Sequence, residues 1–168
     1  MTISMYQASV PVFIRMLSNL KKLLEKGAAH AEAKKFDSSV LVNARLAPDM
    51  FALARQVQIA ADNAKGCAAR LSGAEIPKYE DTETTIPELL ARLDKTIAFL
   101  KTIKPAQIDG SEDKAIVLKS PRGEMNFTGI NYLLHFALPN VYFHITTAYN
   151  ILRHNGVEVG KMDFIGAA

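Results

Sequence analysis

Residues 131–157 read NYLLHFALPNVYFHITTAYNILRHNGV, and the helical periodicity running through them decides the fold. The pattern opens near Thr128-Gly129, continues to Arg153 and stops at Asn155-Gly156, a pair that ends helices. Pro139 lies inside it. A missing N–H and a ring that crowds the preceding turn predict a kink or a local opening of the helix there. Tyr132, Phe136, Tyr142, Phe143 and Tyr149 gather on this one segment, as core and interface packing or as the wall of an aromatic ligand pocket.

Outward from this segment, Ala115 to Lys119 and Glu124 to Phe127 flank Ser120-Pro121-Arg122-Gly123. Short β-prone runs around a Pro/Gly turn predict a small hairpin, which must lean on the helices to be stable. Three other long stretches have helical spacing. The first puts Val10, Phe13, Ile14, Leu17, Leu20 and Leu24 on one face and is interrupted at Gly27, with short helical pieces over 28–35 and 38–44. The second opens at Pro48, a favoured first-turn residue, and passes Phe51, Leu53, Val57, Ala61, Ala64 and Ala68 to Leu71, before Ser72-Gly73. The third opens with Thr85 and Glu88 at capping-box spacing and continues through Leu89, Leu90, Leu93, Ile97 and Leu100, with Pro105 beyond its end. Four long amphipathic helices with one long connection predict an all-α four-helix bundle, residues 1–168 forming one domain.

The composition agrees and narrows the function. The 168 residues are 49% hydrophobic and 22% charged, with 20 Lys+Arg against 17 Asp+Glu, which excludes a disordered chain. No run approaches the roughly 18 apolar residues of a membrane span, and Gln7 and Arg15 break up the start, so neither membrane insertion nor a signal peptide is expected. The single cysteine, Cys67, has no partner for an internal disulfide, which fits a cytoplasmic protein. It reads as a buried small hydrophobe rather than a nucleophile. Lys21, Lys22, Lys26, Lys34 and Lys35 follow the first apolar run and complement a helix C-terminus, while Glu75, Glu80, Asp81 and Glu83 form an acidic loop that balances them elsewhere. A net charge of +3 with this distribution predicts no nucleic-acid partner.

Phosphate-binding glycine loops, paired-cysteine motifs and nucleophile elbows are absent from the sequence. The histidines are His30, in a polar connecting segment, and His135, His144 and His154 on the last helix. On a regular helix His135 and His144 point about 180° apart, so both face inward only if Pro139 re-phases the helix. His154 sits where it can meet the C-terminal carbonyls. Asn140 and His144, at i and i+4, share a face with the spacing of helix-borne metal ligands. Gln58 and Asp62 have the same spacing on the second long helix, with Gln56 and Asn63 close by, and a buried polar group among these needs a partner.

The last segment, with GKMDFIG after it, SMYQASVPVFIRMLSNL at the start and RLAPDMFALARQVQIAADNAK in the centre, resembles a bacterial family of unknown function. That family belongs to the DinB-like (YfiT-like) superfamily of four-helix bundles. The resemblance covers essentially the whole chain. It implies an up-down-down-up bundle with a hairpin before the last helix, and homodimers are frequent in the superfamily. Many members are held to be metalloenzymes with one His on the second helix and HxxxH on the fourth, and some transfer or isomerise groups with low-molecular-weight thiols. Carried over, His144 matches the second His of HxxxH, Asn140 replaces the first, and the helix-two His falls within a residue or two of Gln58. Amides are poor ligands for zinc or nickel, so the resemblance implies a degenerate metal site, or a polar pocket that has lost its divalent ion.

Two functions follow as expectations. One is a degenerate metal- or thiol-dependent transferase or hydrolase, with His144, Asn140 and Gln58 at a polar pocket between the second and fourth long helices. The alternative is a non-catalytic protein that binds a small-molecule ligand or acts as a homodimeric interaction module, with Met5, Phe13, Met16 and Tyr149 supplying apolar surface.

Overall fold

The computed structural model describes residues 2–120 and 123–166. The chain folds into α1 (Val10–Lys34), α2 (Ser39–Asn43), α3 (Leu53–Ser72), α4 (Ile86–Thr102), α5 (Pro105–Ile108), strands β1 (Ala115–Ser120) and β2 (Gly123–Thr128), α6 (Gly129–Tyr132), a π-helical turn (Leu133–Ala137), α7 (Leu138–His154) and α8 (Lys161–Ile165). Among these, α6, the π turn and α7 form one continuous last helix.

Contacts at the helix ends fix the topology. The Tyr6 N–H donates to Asp109 Oδ1 at 2.8 Å, so α1 starts where α4 and α5 finish. Gly27, near the end of α1, lies against Leu152, near the end of α7, so these two helices are parallel. Arg70, late in α3, meets Tyr132 at 3.0 Å, and Gln56, early in α3, meets His144 at 2.7 Å, so α3 and the last helix are antiparallel. Gln58 reaches Glu83, just before α4, so α4 starts beside the beginning of α3 and runs parallel to it. The order is up-down-down-up. Residues 73–85 must therefore return along the length of α3, about 30 Å at 1.5 Å per residue.

Local chemistry explains most boundaries. Thr85 and Glu88 close the capping box at the start of α4, Glu88 Oε2 accepting from Thr85 N–H and Thr85 Oγ1 from Glu88 N–H. Gly73 ends α3 in the left-handed region at φ 79°. The hairpin is antiparallel with Ala115 opposite Thr128 and Ser120 opposite Gly123; its turn residues Pro121 and Arg122 lie outside the described residues.

Three expectations require correction. Gly27 does not interrupt α1, which runs unbroken to Lys34 and absorbs the piece expected over 28–35; a Cβ there would sit 3.0 Å from Leu152 Cδ2, so the glycine serves helix packing. Only Lys34 and Lys35 consequently lie at the helix end, while Lys21 and Lys26 pair with Asp94 and Asp163. Helix α3 begins at Leu53 rather than Pro48, because the Leu53 N–H bonds back to Ala44 O at 3.0 Å and residues 47–50 close a separate turn. The disturbance expected at Pro139 is the π turn just before it, where the Leu138 N–H reaches back to Leu133 O.

The core lies along the helix faces read from the sequence. Val10, Phe13, Leu17, Leu20 and Leu24 are fully buried, as are Val57, Ala61, Ala64 and Ala68 on α3 and Leu89, Leu93 and Leu100 on α4. Met5, Phe13 and Met16, expected as dimer surface, are buried within the chain, and Tyr149 is half-buried edge-on to Phe164 of α8. No helix among the described residues is long and apolar enough to cross a membrane.

Candidate functional site

At the seam between α3 and α7, His144 is buried, 9% exposed, and its Nδ1 lies 2.7 Å from Gln56 Oε1. Gln56 fixes the direction of that bond. Its Nε2 donates to Phe51 O at 3.0 Å, so Oε1 is an acceptor and Nδ1 must carry the proton. The other nitrogen, Nε2, keeps its lone pair, accepts no hydrogen bond from the described residues and is not sealed from solvent. Burial, and then the Arg55 charge, push the His144 pKa below its ordinary 6.5, so the ring is neutral at neutral pH.

The other residues expected beside His144 are elsewhere. The Asn140 amide is committed to its own helix, Nδ2 donating to Phe136 O at 2.7 Å. Gln58 turns toward the returning connection, donating to Glu83 Oε2 at 3.0 Å and accepting from Arg55 at 3.2 Å. The π turn does not bring His135 inward; His135 is exposed, as is His154 at the helix end. His30 is half-buried on α1, edge-on to Phe36 at 5.8 Å, rather than solvated in a connecting segment. No group of three or more His, Cys, Asp or Glu side chains among the described residues is disposed to hold a metal ion. A zinc or nickel ion does not fit this arrangement: His144 and Gln56 bond to each other, and the two remaining amides are engaged at separate places.

Sequence reasoning missed the polar cluster between α3, α4 and residues 73–85. Arg92 has no exposed surface, yet it pairs with Asp62 at 3.0 Å, Asp81 at 2.9 Å and Glu83 at 3.1 Å, and donates to Glu80 O. Burial opposes its charge, but Asp62, Glu83 and Asp81 outweigh it and hold its pKa above the ordinary value. Lys65 pairs with Asp62, Arg55 with Asp81, and Tyr79 lies under the ammonium groups of Lys65 and Lys95 at 3.9 and 4.2 Å. Within the acidic loop, Glu83 thus packs inward and Asp81 joins it on Arg92, while Glu75 and Glu80 are exposed. The available signal was Arg92 at a core-facing position among Leu89, Leu93 and Leu100, which demanded a carboxylate partner.

Beside Asp62, a cavity of about 340 Å³ opens between α3, the hairpin and the start of the last helix. Asp62, Asn63 and Arg70 form its α3 wall, Val117 and Lys119 come from β1, and Tyr132 and Phe136 close it. These two rings stack at 5.8 Å and 22°, with Phe127 against both. Burial, and then its neighbour Cys67, push the Tyr132 hydroxyl pKa up to about 12. Cys67 is itself buried and its thiol is pushed well above the ordinary range, so it is no nucleophile.

The up-down-down-up order and the hairpin before the last helix define a DinB-like four-helix bundle. Residues 5–165 match the family described as "Domain of unknown function (DUF1993)", and the chain belongs to that family. Its structure is similar to the crystal structure of a DinB family member protein from Shewanella denitrificans, with 46% sequence identity and a TM-score of 0.89 over 97% of this chain and 92% of that one. Among curated proteins nothing matches the chain.

Proposed function

We propose that this protein is a small-molecule-binding bundle whose ligand sits between α3 and the last helix, in a site that works by hydrogen bonding and ring contact rather than through a metal ion. The observation that carries this reading is the cavity of about 340 Å³ faced by Tyr132 and Phe136, within the range of small-molecule pockets. Occupancy should raise the melting temperature by mass action, by about 2.7 kcal/mol of stability at a hundredfold excess over Kd. The test is a panel of one-ring compounds assayed by thermal melting against the wild type and Val117→Trp. Val117 is a half-exposed position on the cavity wall, so tryptophan fills the space without disturbing the core. Compounds should raise the wild-type melting temperature and lose that effect in the variant; a rise that survives the filling contradicts the reading.

One observation favours a catalytic version. A neutral imidazole with Nδ1 fixed by a partner and Nε2 unprotonated is the arrangement of a general base. In that version His144 alone inherits the superfamily's transferase or hydrolase chemistry, and its activity falls as pH drops through the His144 pKa. Homodimerisation belongs to the same proposal, through exposed Phe51 and Phe143 on either side of the Gln56–His144 pair.

A further inference from the structure

Arg70 stands apart from the other cations of α3. Arg55 and Lys65 have carboxylate partners, whereas Arg70, half-buried on the cavity wall, makes no ion pair with any described residue. Its Nη1 donates to the Tyr132 hydroxyl at 3.0 Å, and the remaining guanidinium N–H groups have no acceptor among the described residues and are not sealed from solvent. The seat is shaped for it. Gly66, one turn earlier on α3, has no side chain, and a Cβ there would lie 2.5 Å from Arg70 Nη1. A mid-helix glycine costs about 0.5–1 kcal/mol relative to alanine, and at position 66 it leaves room for the Arg70 guanidinium beside α3. The acid on the same wall, Asp62, is already balanced by Arg92 and Lys65, while Lys119 adds a second cation from β1. The π turn, a geometry common at functional sites, spans the residues that set Phe136 against Tyr132.

We propose that the cavity binds a small organic anion carrying a flat apolar ring, with its carboxylate on the Arg70 guanidinium and its ring against Tyr132 and Phe136. This deepens the small-molecule reading above and rests on it. A planar guanidinium presents paired N–H groups that match a carboxylate, and such charge-assisted bonds are about twice as strong as neutral ones. The volume is sufficient for one ring and a short substituent.

The test is a heteronuclear NMR titration with sodium benzoate, its neutral counterpart benzamide, and inorganic phosphate. Benzoate should shift the Arg70 side-chain Nε–Hε signal and amides of 62–70 and 132–136 saturably, with benzamide and phosphate each at least tenfold weaker. Arg70→Gln should abolish the benzoate shifts. Gly66→Ala should weaken benzoate severalfold while melting no lower than the wild type, which separates a displaced guanidinium from a damaged fold. Equal binding of benzamide, or benzoate shifts that persist in Arg70→Gln, overturns the anion assignment and leaves the cavity reading standing. Phosphate binding as tightly as benzoate overturns the ring requirement. Failure of benzoate and benzamide alike to shift any cavity signal overturns both readings.

Discussion

The bond from His144 Nδ1 to Gln56 Oε1 is buried, and its consequences are measurable residue by residue. Gln56→Leu leaves that N–H without an acceptor and should cost about 1–3 kcal/mol in urea denaturation. The pH dependence has a definite sign. The folded pKa of His144 is lowered from 6.5, so below that pH the unfolded chain takes up a proton that the folded chain refuses. The stability from the neutral ring is therefore complete above pH 6.5 and is lost as pH falls below it, and His144→Gln should flatten this part of the stability profile. The partner was only half legible in the sequence. The i, i+4 spacing singled out Asn140, but an amide one turn before a histidine can satisfy its own helix, and Asn140 does so on Phe136 O. Gln56 and Gln58 differ by two positions, about 200° around a helix, and nothing local distinguishes the one facing α7 from the one facing residues 73–85.

The elements carry two further predictions. Thr85→Ala opens the capping box of α4 and should lower stability by about 1 kcal/mol in thermal or chemical denaturation. Arg92→Leu leaves Asp62, Asp81 and Glu83 without their shared cation, and Glu83 is only 8% exposed. Removing one member of a buried ion network costs about 3 kcal/mol or more. It should also release residues 73–85 to limited proteolysis while α3 and α4 remain intact. Helices whose apolar period and end signals agree, such as α4 and the last helix, were readable to within a residue or two. The start of α3 was not, because Leu53 finds its backbone acceptor at Ala44, a contact outside the local sequence. Nor was the inward packing of Glu83, since parallel α3 and α4 force a return path that periodicity does not encode.

At the scale of the whole molecule, the DinB-like bundle places α3 and the last helix side by side and spreads their polar groups along the seam. His144 meets Gln56 at one level and Arg70 meets Tyr132 at another, with the Arg92 cluster reaching the cavity wall through Asp62. Met5, Phe13 and Met16, which suggested a dimer surface, are consumed by the core, and the proposed homodimer would instead use Phe51 and Phe143, 57% and 56% exposed. Sedimentation should therefore show Phe143→Ser weakening any dimer while leaving the fold unchanged. That His144 belongs to a hydrogen-bonded pair rather than to a metal site is tested most directly by the nitrogen NMR spectrum of its imidazole before and after one equivalent of zinc. The expected spectrum has a protonated Nδ1, an unprotonated Nε2, and no change with zinc; tight stoichiometric zinc binding that shifts either nitrogen would contradict the pairing.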